Sequence, residues 1–200
     1  AISAEAIARI GDFTGQNLAN TAWACANLEV QAAPLLNVIS SAAIAMQTEL
    51  DPQSLANTVW AYAALERRDM PLISAIAESA LRTMSEWTAL ELSSTAWAYA
   101  RLGLRHVPLM NAIAAPSSAQ LSELTLLDIA NTAWAMEALD IPASDKLRAT
   151  VRACGFDAFI ADAVRDVSSH GVELIHLANA SNLGGPSAMQ RALRGRGLLA

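Results

Sequence analysis

The chain has 200 residues, is 54% hydrophobic and 5% aromatic, and carries a formal net charge of −6. That length can bury a substantial core, the Ala-rich composition with few β-branched clusters favours helix over sheet, and a pure RNA-binding solenoid is expected to be more basic than this acidic chain. The two cysteines, Cys25 and Cys154, are no disulfide framework and read as small core residues.

In chain order, residues 1–13 read as the second helix of a preceding repeat unit, with Ile7 where Leu81 falls two registers later. A first helix follows in "LANTAWACANL" at 18–28, and it recurs as "LANTVWAYAAL" at 55–65, "LSSTAWAYARL" at 92–102 and "IANTAWAMEAL" at 129–139, always offset by 37 residues. Such a period marks a repeat architecture. Thr14, Asp51, Thr88 and Thr125 stand in register before these stretches, and each suits a helix N-cap. Glu91 and Asp128 complete capping boxes. The residue before each cap (Phe13, Leu50, Trp87, Leu124) pairs with the fourth residue after it (Leu18, Leu55, Leu92, Ile129) as a hydrophobic staple. First helices are therefore expected over 15–28, 52–65, 89–102 and 126–139.

After each first helix comes a short turn and a proline, Pro34, Pro71 and Pro108 in register and Pro142 slipped, which suits the start of a second helix. Pro116 is expected to break the third of these helices. The uncharged run Val30–Thr48 is cut at Pro34, so no membrane insertion is expected. The expected fold is all-α, an α-solenoid of stacked 37-residue helical hairpins. Its units are 1–13 (second helix of a preceding repeat), 14–50, 51–87, 88–124, a shortened 125–155, and degenerate repeats or a cap over 156–200, where "FDAFIADAV" and "NLGGP" punctuate a less regular sequence.

Four of the five tryptophans, Trp23, Trp60, Trp97 and Trp134, share one register position, and a core role between units is expected over ligand stacking. Thr21, Thr58, Thr95 and Thr132 are identical, beside Asn20, Asn57, Ser94 and Asn131. Thr and Asn are mediocre helix formers, so their recurrence needs a cause outside the helix. One cause is a hydrogen-bond ladder joining neighbouring units; the other is a polar face offered to a partner. The ladder is favoured, because functional positions in repeat proteins tend to vary between units. Positions spaced by three and four also define one helix face. In unit order it shows Asn17, Ser54, Glu91 and Asp128, then the Asn20 row, then Asn27 and Arg101 with Ala between. Arg67, Arg68, Arg101 and Arg105 gather at the turns between helices, either as solvated side chains or as a binding strip.

The repeated first helix, the proline-started second helix and the 37-residue period together resemble the heptatricopeptide repeat, a relative of the octotricopeptide repeats and of the helical region of FAST-kinase-like and RAP-domain proteins. The resemblance covers residues 1–140 well and 141–200 loosely. It implies an α-solenoid of mitochondria or plastids that binds organellar RNA in transcript processing, translation or ribosome assembly. It also admits a protein-binding scaffold, or a structural subunit of a large organellar assembly such as a ribosome or membrane supercomplex. The charge distribution favours the scaffold and the resemblance favours RNA, so an RNA-related function is the leading expectation and the scaffold the alternative. Residues 11–140 hold 5 Arg, no Lys and 13 acidic residues, a net of −8, whereas a phosphate-binding surface needs clustered Lys and Arg. No cofactor, metal site or catalytic residue is expected. His106, His170 and His176 lack metal-ligand spacing, and no nucleophile motif or phosphate loop is present.

Overall fold

The computed structural model describes residues 2–115, 125–143 and 148. Its elements are all helical, with no strand among the described residues. The elements are α1 (Ile2–Ala8), α2 (Gly15–Asn27), α3 (Ala33–Ala45), α4 (Pro52–Ala64), α5 (Met70–Thr83), α6 (Ala89–Arg101), α7 (Val107–Ile113) and α8 (Leu126–Ala138), with short 3-10 turns at Ile10–Asp12 and Met84–Glu86. None of these helices is long and apolar enough to cross a membrane. The expected break at Pro116, the staple residue Leu124, the helix expected after Pro142 and everything expected over 156–200 lie outside the described residues. The third second-helix, α7, closes at Ile113 on an Ala114 cap, before that proline.

Local chemistry sets the helix ends. Thr14, Asp51, Thr88 and Thr125 all have extended backbone and accept a hydrogen bond from the backbone N–H three residues on, which satisfies one orphan donor per helix. The second helices carry Pro at N1 or N2. Two of them have caps that the sequence did not advertise: the Asp69 carboxylate accepts from Leu72 N, and His106 Nδ1 accepts from Leu109 N.

Each first helix ends the same way. Glu29, Glu66, Gly103 and Asp140, all 37 apart, have φ of 54°, 55°, 66° and 51°. Beyond them, Val30, Arg67, Leu104 and Ile141 donate backwards to the carbonyls of Cys25, Tyr62, Tyr99 and Met136 at 2.8–2.9 Å. This is the Schellman closure, which turns the chain sharply toward the second helix. Only one of the four corners is glycine, although left-handed backbone costs other residues about 1–2 kcal/mol. Gly103→Ala should therefore destabilise the chain by about 1 kcal/mol, and Glu29→Gly should stabilise it by a similar amount. Its added Cβ would lie 3.3 Å from Arg68 Nη2, the end of a flexible side chain, so the backbone term dominates. Paired urea titrations check both signs.

Packing follows the register. α2, α4, α6 and α8 pack consecutively along one row, α1, α3, α5 and α7 along a second, and each hairpin's two helices touch. One core runs through both rows, because one hairpin cannot cover its own apolar face. Tyrosines tie the rows together: Tyr62 Oη donates to Leu36 O at 2.5 Å, and Tyr99 Oη to Ile73 O at 2.7 Å, each reaching the second helix of the preceding unit. Burial pushes both phenols well above their ordinary pKa, so both remain neutral donors. A second link joins α5 to the turn after α3, where Ser79 Oγ donates to Gln47 O.

The tryptophan row departs from the sequence expectation. Trp97 and Trp134 are fully buried, Trp60 is half-buried, and Trp23 is 46% exposed. Trp60 stacks on Trp97, with centroids 6.2 Å apart and 29° between planes. Among the described residues α2 has a row neighbour on one side only, so the ring it carries stays open. The out-of-register Trp87 is buried as its staple requires, and its Nε1 donates to Thr83 Oγ1.

Candidate functional site

The first line of the expected face, Asn17, Ser54, Glu91 and Asp128, is the third helical residue of each unit, and helix capping occupies it. Asn17 Oδ1 accepts from Thr14 N at 3.0 Å, Glu91 Oε2 from Thr88 N at 2.7 Å, and Asp128 Oδ2 from Thr125 N at 2.9 Å. Ser54 Oγ donates to the Asp51 carboxylate. Ser54 and Asp128 are buried, so neither presents a polar group to a partner. Asp128 also accepts from Ser93 Oγ at 2.6 Å, an inter-unit bond from α6 to α8.

The second line divides in the same way. Asn20 is exposed, Asn57 and Ser94 are half-buried, and Asn131 is buried, which removes Asn131 from any open face. The threonines beside them do not form the expected inter-unit ladder. Thr21 Oγ1 donates to Asn17 O and Thr58 Oγ1 to Ser54 O, each within its own helix. A hydroxyl four residues along a helix finds that carbonyl before it can reach a neighbour. The links between units run instead through Tyr62, Tyr99, Ser93 and the turn arginines. Asn27 is exposed and uses its Nδ2 on Trp23 O.

Three of the four turn arginines are bonded to a neighbouring unit. Arg67 donates to Asn37 Oδ1 of the preceding unit. Arg101 Nη2 meets Glu66 Oε1 at 2.5 Å, with the arginine side chain 13% exposed. Arg105 donates through Nε to Leu139 O at 3.2 Å and through Nη2 to Asp140 O at 3.3 Å, in the cap and turn that follow α8. Positive charge there also suits the negative end of that helix. Arg68 alone of the four is exposed without such a tie to a neighbouring turn. Arg67, Arg101 and Arg105 thus join successive turns.

What the row leaves open is a groove of about 810 Å³ along α2, α4 and α6. Trp23, Ala56 and Trp60 give it an apolar floor, and Asn57 and Ser94 supply neutral polar groups. Glu29, Glu66 and Glu91 line it, and among the described residues no Lys or Arg does. Of the face read from sequence, the structure brings Asn27, Asn57, Glu91 and Ser94 into this groove and leaves Asn17 and Asn20 outside its lining. Sequence reasoning missed Trp23, Trp60, Glu29 and Leu90 as lining residues. The one signal was Glu29 and Glu66 falling in register with Gly103.

The family model described as RNA-editing substrate-binding complex 6 protein matches residues 2–150. The chain belongs to that family. The match spans the helices described above and includes every residue of the groove. No curated protein matches the sequence.

Proposed function

We propose that this chain is a non-catalytic α-solenoid segment that docks protein partners within an RNA-editing substrate-binding complex, and that its groove face does not itself hold RNA. The observation that carries this reading is the disposition of charge. Arg67, Arg101 and Arg105 are engaged between units, while the open groove is lined by three glutamates and, among the described residues, no cation. A nucleic-acid backbone needs the opposite arrangement. The 37-residue register, the two helix rows and the repeated caps support a heptatricopeptide-like solenoid. An organellar location, mitochondrion or plastid, belongs to the same reading and rests on that resemblance alone. Organellar RNA then enters through the partners, in keeping with the family's description.

Two measurements test this. Protein partners co-purifying with the full chain should persist after ribonuclease treatment. Gel-shift titration with a uridine-rich single strand at low and physiological salt should show no complex at micromolar protein. A salt-dependent shift whose slope falls by about 2 in the Arg68→Gln/Arg101→Gln/Arg105→Gln variant, at roughly 0.7 per phosphate contact, would instead establish direct RNA binding through those arginines.

A further inference from the structure

Four first helices of nearly the same sequence offer one another nearly the same apolar face. Apolar packing alone therefore does not tell one neighbour from the next, and repeat proteins are prone to misassembly and to exchange of elements between copies. Most of the polar links between units carry no such information either. Tyr62, Tyr99 and Ser79 donate to backbone carbonyls, which any unit supplies. Arg101 meets Glu66, and Glu29 and Asp140 hold the same register position. One link is different. Ser93 Oγ donates from α6 to Asp128 Oδ1 of α8 at 2.6 Å. Ser93 stands where α2, α4 and α8 have Ala19, Ala56 and Ala130. The same 35-residue offset pairs Ala19 with Ser54 and Ala56 with Glu91. Ser54 is satisfied by its own Asp51 cap, and Glu91 keeps part of its surface open. Asp128 is 2% exposed; its Oδ2 serves the Thr125 cap, and its Oδ1 takes the Ser93 hydroxyl.

We propose that the Ser93–Asp128 pair is a key that fixes the order of the repeats: it admits α6, and neither α2 nor α4, as the helix before α8. Stacking α8 on α2 or α4, of the same chain or of a second copy, sets the Asp128 carboxylate against Ala19 or Ala56. A buried carboxylate oxygen without its donor costs more than an ordinary lost contact. Fixing register is the best-attested use of a buried polar group in helical assemblies. The selectivity comes from Asp128, because Ser93 has a second acceptor in Leu90 O of its own helix and tolerates any neighbour. Replacing both partners by the pair already present between α2 and α4, alanine facing serine, removes the demand while leaving nothing buried and unpaired. Stability and order are thereby separable in one position pair.

The test is refolding of the full chain from urea at high protein concentration, with the fraction of exchanged dimer read by size-exclusion chromatography and light scattering, and stability read by urea titration. Ser93→Ala/Asp128→Ser should unfold at higher urea than Ser93→Ala, yet give at least about fivefold more exchanged dimer than the wild type. Tyr99→Phe removes a link that any neighbour restores, so it should lower the urea midpoint without raising the dimer fraction. Ser93→Ala/Ala56→Ser, which moves the hydroxyl to α4, should give more exchange than Ser93→Ala alone. The assignment is overturned if Ser93→Ala/Asp128→Ser refolds to the same monomer fraction as the wild type. It is equally overturned if Tyr99→Phe exchanges as much as the Ser93 variants at matched stability, since exchange would then follow stability and not pairing. If Ser93→Ala/Asp128→Ser does not fold, the comparison of Ser93→Ala with Tyr99→Phe decides by the same criterion.

Discussion

Trp97→Ala should destabilise the chain by about 3–5 kcal/mol, the range for truncating a large buried aromatic. Trp97 has no exposed surface and its ring supports Trp60, so the substitution removes transfer energy, leaves a cavity and unstacks the neighbouring unit. Because each unit touches mainly its neighbours, the loss should be local. Hydrogen exchange should quicken first in α4, α6 and α8 and least in α1. Trp60→Ala should cost less, since Trp60 is already half-exposed, and Trp23→Ala should be close to neutral. A flat response along the row, with all three tryptophans equivalent, would contradict the graded burial and the stacked core together.

Asp128→Ala should cost about 2–4 kcal/mol, because it removes several charge-assisted bonds at once. The Asp128 carboxylate accepts from Thr125 N and Thr125 Oγ1 and, through its other oxygen, from Ser93 Oγ across the unit boundary. The residue is 2% exposed, so water cannot replace those partners and the Ser93 hydroxyl is left buried. Glu91→Ala, which removes a similar cap at a half-buried site, should cost about 1 kcal/mol. The difference measures the inter-unit bond. A double-mutant cycle with Ser93→Ala should recover a coupling of roughly 1 kcal/mol or more. Additive behaviour would show that the Ser93–Asp128 contact carries no energy.

The helix boundaries were determined by the sequence alone. Thr14, Asp51, Thr88 and Thr125 start helices because the bonds that matter lie within three residues, and a bond that local is written in the local residues. The expected helix over 15–28 is Gly15–Asn27, and its three repeats likewise end one residue early. The left-handed corners were less legible, because Glu29, Glu66 and Asp140 hold a backbone that glycine would have announced. Their stability comes from the backward bonds to Cys25, Tyr62 and Met136.

Only the tertiary structure decided which recurring side chains face a partner. Trp23 and Trp97 sit in nearly identical local sequences, yet one is exposed and the other buried, because the helices around each ring are set by packing one repeat away. Asn57 and Asn131 separate for the same reason. From the sequence the turn arginines read either as solvated side chains or as a binding strip; the reach of Arg67, Arg101 and Arg105 to Asn37, Glu66 and the turn after α8 is visible only in the structure. A long flexible cation takes whichever acceptor the neighbouring unit brings within range, and no pattern inside its own unit records that choice.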